Sequence, residues 1–320
     1  MKSVFTYRVY GLAVASDLAL PELAACLHDG PADLRIRIGE APAQLDGVQH
    51  QSWWFQANAN ACLITVAGLF RLWIRDGRDI TVDVLAQPDG RPVRAADMRL
   101  YLLGSAMGAA LHQRGLLPLH VSAVRAPNGI WAFTGPSGAG KSTLSATLHL
   151  RYGLPLVSDD VSALRLDPPQ PVVFPGPRKL KLWQDAAEHL RCDPGSLVQD
   201  LSGTPKYQLY LGDGDGGGGG GPLHALVLLE PSSEPITPRL EKLSGVSAFD
   251  VCLTAVYRPY MADWYRPRQA VMADLLALCS RIEVYRFRRH WSLDAMDEQL
   301  TPLLDAMRVT DAPVGRVAST

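Results

Sequence analysis

One segment near the middle of the chain has a pattern of residue types that binds phosphate groups. It fits G-x-x-x-x-G-K-[ST], and its residues are Gly135, Pro136, Ser137, Gly138, Ala139, Gly140, Lys141, Ser142 and Thr143. Glycines let backbone N–H groups close around phosphate oxygens. In such a loop Lys141 reaches the β- and γ-phosphates of a nucleotide, and the Ser142 hydroxyl binds Mg²⁺. The segment therefore predicts a site for a Mg-nucleotide.

Two acids and a histidine complete a set of residues that could transfer a phosphoryl group. Asp159 and Asp160 follow an apolar run at residues 154–157, the pattern of a buried strand that delivers carboxylates to its C-terminal end. His120 comes before the loop. Each signal is weak alone, because a histidine on a strand is usually structural and paired acids often form a turn. Beside a phosphate loop they offer a metal ligand and a base for an accepting hydroxyl.

The elements that must position these residues agree with this interpretation. The apolar run at residues 130–133 predicts a buried strand leading into the loop. After the loop, apolar residues recur at helical spacing until Gly153, where a helix should stop: Leu144, Ala146, Leu148 and Leu150. Strand, glycine loop and helix are the context that the motif requires, so a chance match in a glycine-rich chain is disfavoured.

The segment before the loop predicts a helix and a hairpin. The pattern of residues 98–115 predicts a helix in which Gly104 and Gly108 are spaced for close packing against a neighbouring element. A strand signal at 119–124 and a turn at 127–129 follow, so a hairpin feeds into the loop strand. This prediction places His120 on the first strand of that hairpin.

Residues 1–95 predict a separate β-rich domain. Short β-branched or aromatic runs alternate there with turns such as Asp46-Gly47 and Asp76-Gly77. No catalytic set of residues is present, and Trp53 and Trp54 are interpreted as packing residues. The second domain is predicted over residues 96–310.

The remainder of the second domain contains weaker signals. A second buried strand is predicted at 225–229, and closing helices at 274–278 and 293–307. A basic segment at 178–181 and Lys206-Tyr207 lie before them. The glycine tract at 212–221 predicts a flexible surface insert in preference to a mobile lid, and residues 311–320 predict a frayed tail.

Composition narrows the class of protein. The chain has 320 residues and a formal net charge of -1, which gives no electrostatic signature of nucleic-acid binding. Its five cysteines are widely spaced and form no C-x-x-C pair, which suits a reducing cytosol. No signal peptide is evident, and the uncharged run at 100–111 does not reach membrane-spanning length. We therefore expect a cytoplasmic protein; a homo-oligomer is compatible with the sequence.

The arrangement of His120, the glycine loop and the Asp159-Asp160 pair resembles the catalytic domain of bacterial HPr kinase/phosphorylase. The stretch from Leu119-His120-Val121-Ser122-Ala123-Val124 to Asp160 resembles especially the smaller HPr-kinase-related proteins, as does Tyr10-Gly11-Leu12 with Leu20-Pro21-Glu22-Leu23. Some of these accompany lasso-peptide clusters, where relatives phosphorylate a serine of a precursor peptide. The strong part of the resemblance covers residues 98–165.

The resemblance implies an α/β fold like that of phosphoenolpyruvate carboxykinase, with a mixed sheet and flanking helices around the phosphate loop. It implies ATP and Mg²⁺ as cofactors and a serine of a peptide or protein as the acceptor. By position, Asp159 takes the role of catalytic base and Asp160 that of metal ligand, while His120 orients the base. The alignment needs a one-residue insertion before the acids, so the two roles are open to exchange. The family's later segment with a metal-binding glutamate is not found, so the resemblance does not extend to phosphorylase activity or to HPr as substrate.

Two other functions are compatible with the same motifs. One is a small-molecule kinase of the shikimate- or gluconate-kinase type, although in those proteins the loop normally opens the chain. The other is a non-catalytic nucleotide-sensing module in which the two acids hold Mg²⁺. Phosphate transfer to candidate acceptors separates the three. The sequence does not choose between ATP and GTP.

Overall fold

The computed structural model describes residues 4–27, 30–87, 90–166, 169–177, 179–199, 204–211 and 220–310. The predictions for most of the glycine tract and for the tail fall outside these residues. The chain divides into two compact units: unit 1 comprises Met1–Pro118 and Tyr257–Met272, and unit 2 comprises Leu119–Val256 and Ala273–Thr320. Residues 96–118 lie in unit 1, whereas the sequence predicts them in the same domain as the glycine loop.

Unit 1 contains one large sheet. Its strands are β1 (Phe5–Val9), β2 (Leu12–Ser16), β3 (Ala24–Ala25), β4 (Leu34–Ile38), β5 (His50–Gln51), β6 (Phe55–Ala57), β7 (Ala61–Val66), β8 (Phe70–Arg75) and β9 (Asp79–Val84). They are ordered β3-β1-β2-β4-β9-β8-β7-β6-β5. In β8, Phe70, Leu72 and Ile74 are fully buried while the residues between them are partly exposed. This period of two is what buries one face of a sheet.

The helix predicted at 98–115 is present in unit 1. It consists of α1 (Ala95–Tyr101), a π-helical segment (Leu102–Ala106) and α2 (Met107–Gln113). A Cβ atom on Gly108 would lie 2.5 Å from Cε1 of Tyr257, whereas a Cβ on Gly104 would have its nearest neighbour, the Tyr257 hydroxyl, at 3.8 Å. The His112 ring is also close, with Nε2 2.8 Å from the Tyr257 carbonyl oxygen. Close packing therefore depends on Gly108.

The remaining elements lie mostly in unit 2. Its strands are β11 (Ser122–Ala126), β12 (Gly129–Thr134), β13 (Leu156–Ser158), β14 (Ser162–Arg165), β15 (Val172–Phe174), β16 (Lys179–Trp183), β17 (Leu197–Gln199), β18 (Lys206–Tyr210), β19 (Gly221–Ser232), β20 (Arg239–Leu243) and β21 (Glu283–His290). Its helices are α3 (Lys141–Tyr152), α4 (Gln184–His189), a 3₁₀ turn (Pro194–Ser196), α5 (Gly245–Thr254), α8 (Met296–Gln299) and α9 (Thr301–Met307). β10 (Leu117–Leu119) and α7 (Arg268–Arg281) pass from one unit to the other, and α6 (Pro259–Tyr265) belongs to unit 1.

The direction of the strands in unit 2 explains where a site can form. β12 pairs parallel with β19, and β19 pairs parallel with β21. β13 is antiparallel to β11, which is antiparallel to β12. β13 therefore runs in the same direction as β12. As a result, β13, β12, β19 and β21 all end at the same edge of the sheet. The predicted mixed sheet is therefore present, with α3 packed on β11 and β12 and α5 packed on β19 and β21.

The core of unit 2 lies between this sheet and its helices. It includes Trp131 and Phe133 from β12, Leu144 and Leu148 from α3, and Val227 from β19, all fully buried. The strand predicted at 225–229 is the centre of β19, and the closing helices occur as α7 and as the pair α8 and α9. None of the helices in the described ranges is long and apolar enough to cross a membrane.

His120 differs from its predicted position. The hairpin forms, but its first arm β11 begins at Ser122, so His120 lies in the connection after β10. His120 lies outside β11 because its backbone amide donates to the Ala255 carbonyl at 2.6 Å and not to a neighbouring strand of the hairpin. The chain joins the β11 ladder only after that contact.

We predict that Gly108→Ala destabilises the protein by about 1–3 kcal/mol, because its Cβ would overlap the Tyr257 ring. Gly104→Ala is the matched control in the same helix. It should be neutral, or more stable by about 0.5–1 kcal/mol from helix propensity. Urea unfolding monitored by circular dichroism measures both. Equal destabilisation by the two variants would contradict the packing explanation.

Candidate functional site

The glycine loop forms the turn between β12 and α3. Gly138 and Gly140 have φ angles of 85° and 86°, a left-handed conformation that favours glycine. Gly140 is the residue that precedes the first turn of α3, and Gly153 ends the helix in the same conformation, as the sequence predicts. The loop residues therefore lie at the N-terminus of a helix, where backbone N–H groups attract anions.

The lysine of the motif folds back over the loop. Its Nζ donates to the carbonyl oxygens of Gly135 at 2.8 Å and Pro136 at 3.1 Å. Burial lowers the pKa of Lys141, although the two nearby aspartates act in the opposite direction. The ammonium group is thus partly withdrawn from water and is held by carbonyl groups that an anionic ligand could replace.

Asp159 is tied to the loop helix. The Ser142 hydroxyl donates to its Oδ1 at 2.8 Å, and the Lys181 backbone N–H donates to its Oδ2 at 2.8 Å. The residue is 4% exposed. Burial raises the pKa of Asp159 despite these two hydrogen bonds, which favour the ionised form.

Asp160 has different neighbours, although it is the next residue. Its Oδ2 lies 2.6 Å from the Lys181 Nζ and its Oδ1 lies 3.3 Å from the His120 Nδ1. The same His120 nitrogen lies 2.9 Å from the Asp160 carbonyl oxygen. Burial by itself would raise the pKa of Asp160, but Lys181 and His120 together lower it well below its usual range. The backbone φ of 82° is uncommon for a residue with a side chain and turns Asp160 away from the path of β13.

These side chains line one cavity of about 460 Å³ in unit 2. It brings together six residues of the glycine loop with both acids and the histidine: Ser137, Gly138, Gly140, Lys141, Ser142, Thr143, Asp159, Asp160 and His120. The other three loop residues lie outside it. Ala139 is buried, and Gly135 and Pro136 line a neighbouring cavity of about 450 Å³ beside α5.

Sequence reasoning assigned no role to several residues of this cavity. Lys181, Trp183, Lys206 and Trp291 line it as well. The basic segment at 178–181 is the sequence feature that could have indicated Lys181, and the pair Lys206-Tyr207 is the feature that could have indicated Lys206. Nothing in the local sequence points to Trp291, because it reaches the site from the C-terminal end of β21.

The donor set suits Mg²⁺ bound together with phosphate. Ser142 and Asp159 supply a hydroxyl and a carboxylate in contact with each other, and Mg²⁺ commonly takes one or two carboxylates and completes its shell with phosphates and water. Within the described ranges, no group of three or more His, Cys, Asp or Glu side chains is arranged to hold a metal ion. A phosphate-bridged ion does not require such a group.

No protein-family model matches the chain, and no curated protein matches it. Among solved structures, it is similar to the HPr(Ser) kinase/phosphatase from Coxiella burnetii, with 13% sequence identity and a TM-score of 0.30 over 60% of this chain and 98% of that chain. This similarity is too low to support an argument about function.

We predict that removing the charge of Asp160 lowers the stability of the protein at neutral pH, whereas removing the charge of Asp159 does not. Asp160 has a lowered pKa in the folded state, so its stabilising contribution is complete at neutral pH and is lost only as the pH falls through that lowered pKa. Asp160→Asn should therefore destabilise the protein at pH 7 by about 1–3 kcal/mol. Asp159 has a raised pKa, which means that its ionised form opposes folding at neutral pH. Asp159→Asn should leave stability unchanged or increase it.

The measurement is chemical unfolding of both variants at pH 7 in the absence of nucleotide. Asn retains one acceptor for the Lys181 amide, and its NH₂ group can donate to the Ser142 oxygen. A loss of stability in Asp159→Asn as large as that in Asp160→Asn would contradict the assigned pKa directions.

Proposed function

We propose that this protein is a Mg-dependent kinase that transfers the γ-phosphate of ATP to a serine hydroxyl of a peptide or protein. The observation that carries the proposal is the position of the two acids. One carboxylate is hydrogen-bonded to the serine of the phosphate loop, and the next one faces the same cavity beside a lysine and a histidine. Phosphoryl transfer requires a phosphate cradle, a metal site and an acceptor-positioning group.

In this proposal the loop amides and Lys141 hold the phosphate chain. Ser142 and Asp159 would hold Mg²⁺, which supplies charge neutralisation when it is bound. The hydrogen bond between these two residues supports that role for Asp159, the reverse of the order implied by the resemblance. In P-loop enzymes the metal is held by the loop serine or threonine and an aspartate of this kind.

Asp160 then acts as the group that accepts the proton of the serine hydroxyl. Its lowered pKa keeps it ionised at neutral pH, and Lys181 and His120 hold it in place. Such a weak base is adequate if the transition state is loose, because positioning and electrostatics then contribute more than basicity. The peptide or protein nature of the acceptor rests on the resemblance over residues 98–165.

We predict that saturating Mg-ATP stabilises the wild-type protein and that Lys141→Ala loses most of this effect. At about one hundred times the dissociation constant, bound nucleotide should add roughly 2.7 kcal/mol. Lys242→Ala is the control, because Lys242 is 60% exposed and pairs with Glu283 on another part of unit 2. Thermal unfolding with and without Mg-ATP measures the shift. An unchanged wild-type melting temperature would show that the loop does not bind nucleotide.

A second prediction separates the roles of the acids. Asp160→Asn should retain Mg-ATP binding and lose transfer by roughly 10²-fold, the lower end of the contribution of a positioned base, because its lowered pKa makes Asp160 a weak one. Asp159→Asn should weaken Mg-dependent nucleotide binding, and additional Mg²⁺ should partly restore its activity. His120→Ala should lower the rate with little effect on binding. Single-turnover transfer to serine peptides, with nucleotide titration in parallel, measures all three.

Asp185→Asn provides the matched control, because this exposed acid lines the same cavity. Its transfer rate should stay near that of the wild type. If Asp160→Asn is rescued by Mg²⁺ and Asp159→Asn is not, the two roles are exchanged. If both variants transfer phosphate normally, the acids are a structural turn and the kinase proposal fails. Transfer to small alcohols with none to peptides would favour a small-molecule kinase.

A further inference from the structure

Three arginines lie near the end of β21, and one of them differs from the others. Arg286, which is partly buried, and Arg288, which is exposed, both pair with Glu230, at 2.9 Å and 2.8 Å. Arg289 is only 2% exposed. Its Nη1 has a long contact of 3.5 Å with the His290 carbonyl oxygen, and its Nη2 is buried without a hydrogen-bond partner in the described residues.

A buried guanidinium without a counter-ion lowers the stability of the folded protein. An isolated charge withdrawn from water loses its favourable hydration, and buried arginines are normally paired with a carboxylate. None of the ion pairs within the described ranges includes Arg289. Burial lowers the pKa of Arg289 to about 10, with no contribution from a charged neighbour. The guanidinium is therefore still positive at neutral pH and has no carboxylate counter-ion within the described parts of the chain.

The surroundings of Arg289 indicate where a counter-ion would come from. β21 ends at the same sheet edge as β12, which leads into the phosphate loop. A Cβ atom placed on Gly140 would lie 3.2 Å from Nη2 of Arg289 and 2.3 Å from Cζ3 of Trp291. The Trp291 ring also faces the guanidinium carbon, 5.1 Å from the ring centroid. Arg289 is thus packed against Gly140 and the Trp291 ring, both of which line the cavity, while Arg289 itself is not among the lining residues.

We propose that Arg289 is the buried cation of the phosphate site, and that its charge stabilises the phosphate chain of a bound nucleotide from behind Gly140. This inference rests on the proposed function and adds a residue to its binding site. In a partly dehydrated interior a charge acts over several ångströms, so no direct contact is required. Glycine at position 140 allows this approach, because any side chain there would displace Trp291 or the arginine.

Arg289→Met tests the proposal by removing the charge and keeping a similar length. We expect its affinity for Mg-tripolyphosphate and Mg-ATP to fall roughly 10- to 100-fold, the range for a lost interaction with a charged group. The ligand-free melting temperature should rise, because an unpaired buried charge is replaced by an apolar side chain. Arg289→Lys keeps the charge and should bind both ligands more tightly than Arg289→Met. Arg288→Met, next in the chain but exposed, should bind like the wild type.

Isothermal titration calorimetry and thermal unfolding provide the two readouts. An arginine with a purely structural role would show the reverse result: Arg289→Met would have a lower ligand-free melting temperature and unchanged affinity, and the inference would be wrong. If the wild type binds polyphosphate in an Arg289-dependent way but transfers phosphate to no acceptor, the kinase proposal fails and the role of Arg289 stands. If the wild type binds and transfers while Arg289→Met matches Arg288→Met, only the role of Arg289 fails.

Discussion

The buried carboxylate of Asp159 holds the site of unit 2 together. One oxygen accepts from Ser142 at the first turn of α3, and the other accepts from the backbone of Lys181 in β16. A single side chain at the end of β13 thereby joins the glycine loop to β16, which belongs to a separate three-stranded sheet, β16-β18-β17, and contributes Lys181 and Trp183 to the cavity lining. These hydrogen bonds do not fully compensate the cost of burying the charge, as the raised pKa of Asp159 shows. An additional positive charge at this position would relieve that cost.

The distribution of charge around the cavity follows from the same constraint. Asp160 is paired with Lys181 and lies beside His120, whereas Lys141 is held by carbonyl groups and Arg289 has no counter-ion among the described residues. Two cations of the site, Lys141 and Arg289, therefore have no carboxylate within ion-pair distance among the described residues. Phosphate groups would give these cations an anionic partner, and a divalent cation would give the buried carboxylate of Asp159 a positive one. This charge complementarity connects the proposed function with the role inferred for Arg289.

The sequence predicted much of the framework of unit 2, because its signals are local. The glycine loop, the strand before it and the helix ending at Gly153 each depend on residues close in the chain, and their periods and turn residues are explicit. His120 was predicted on a strand and lies before it, because its amide pairs with Ala255, a contact that is remote in sequence. The same reason explains why no local pattern points to Trp291 or Arg289: they reach Gly140 through the pairing of β19 with β21, which are distant in the chain.

By itself, the sequence determined that the chain carries a glycine loop of the phosphate-binding pattern followed by a pair of acids, and it predicted the mixed sheet that supports them. Only the tertiary structure decided which acid contacts Ser142 and which contacts His120, since consecutive residues after a strand can turn to either side. The left-handed backbone of Asp160 sets that choice, together with the position of Lys181 on a neighbouring sheet. Local patterns specify elements, whereas the partners of a buried charge depend on which elements the fold brings next to it.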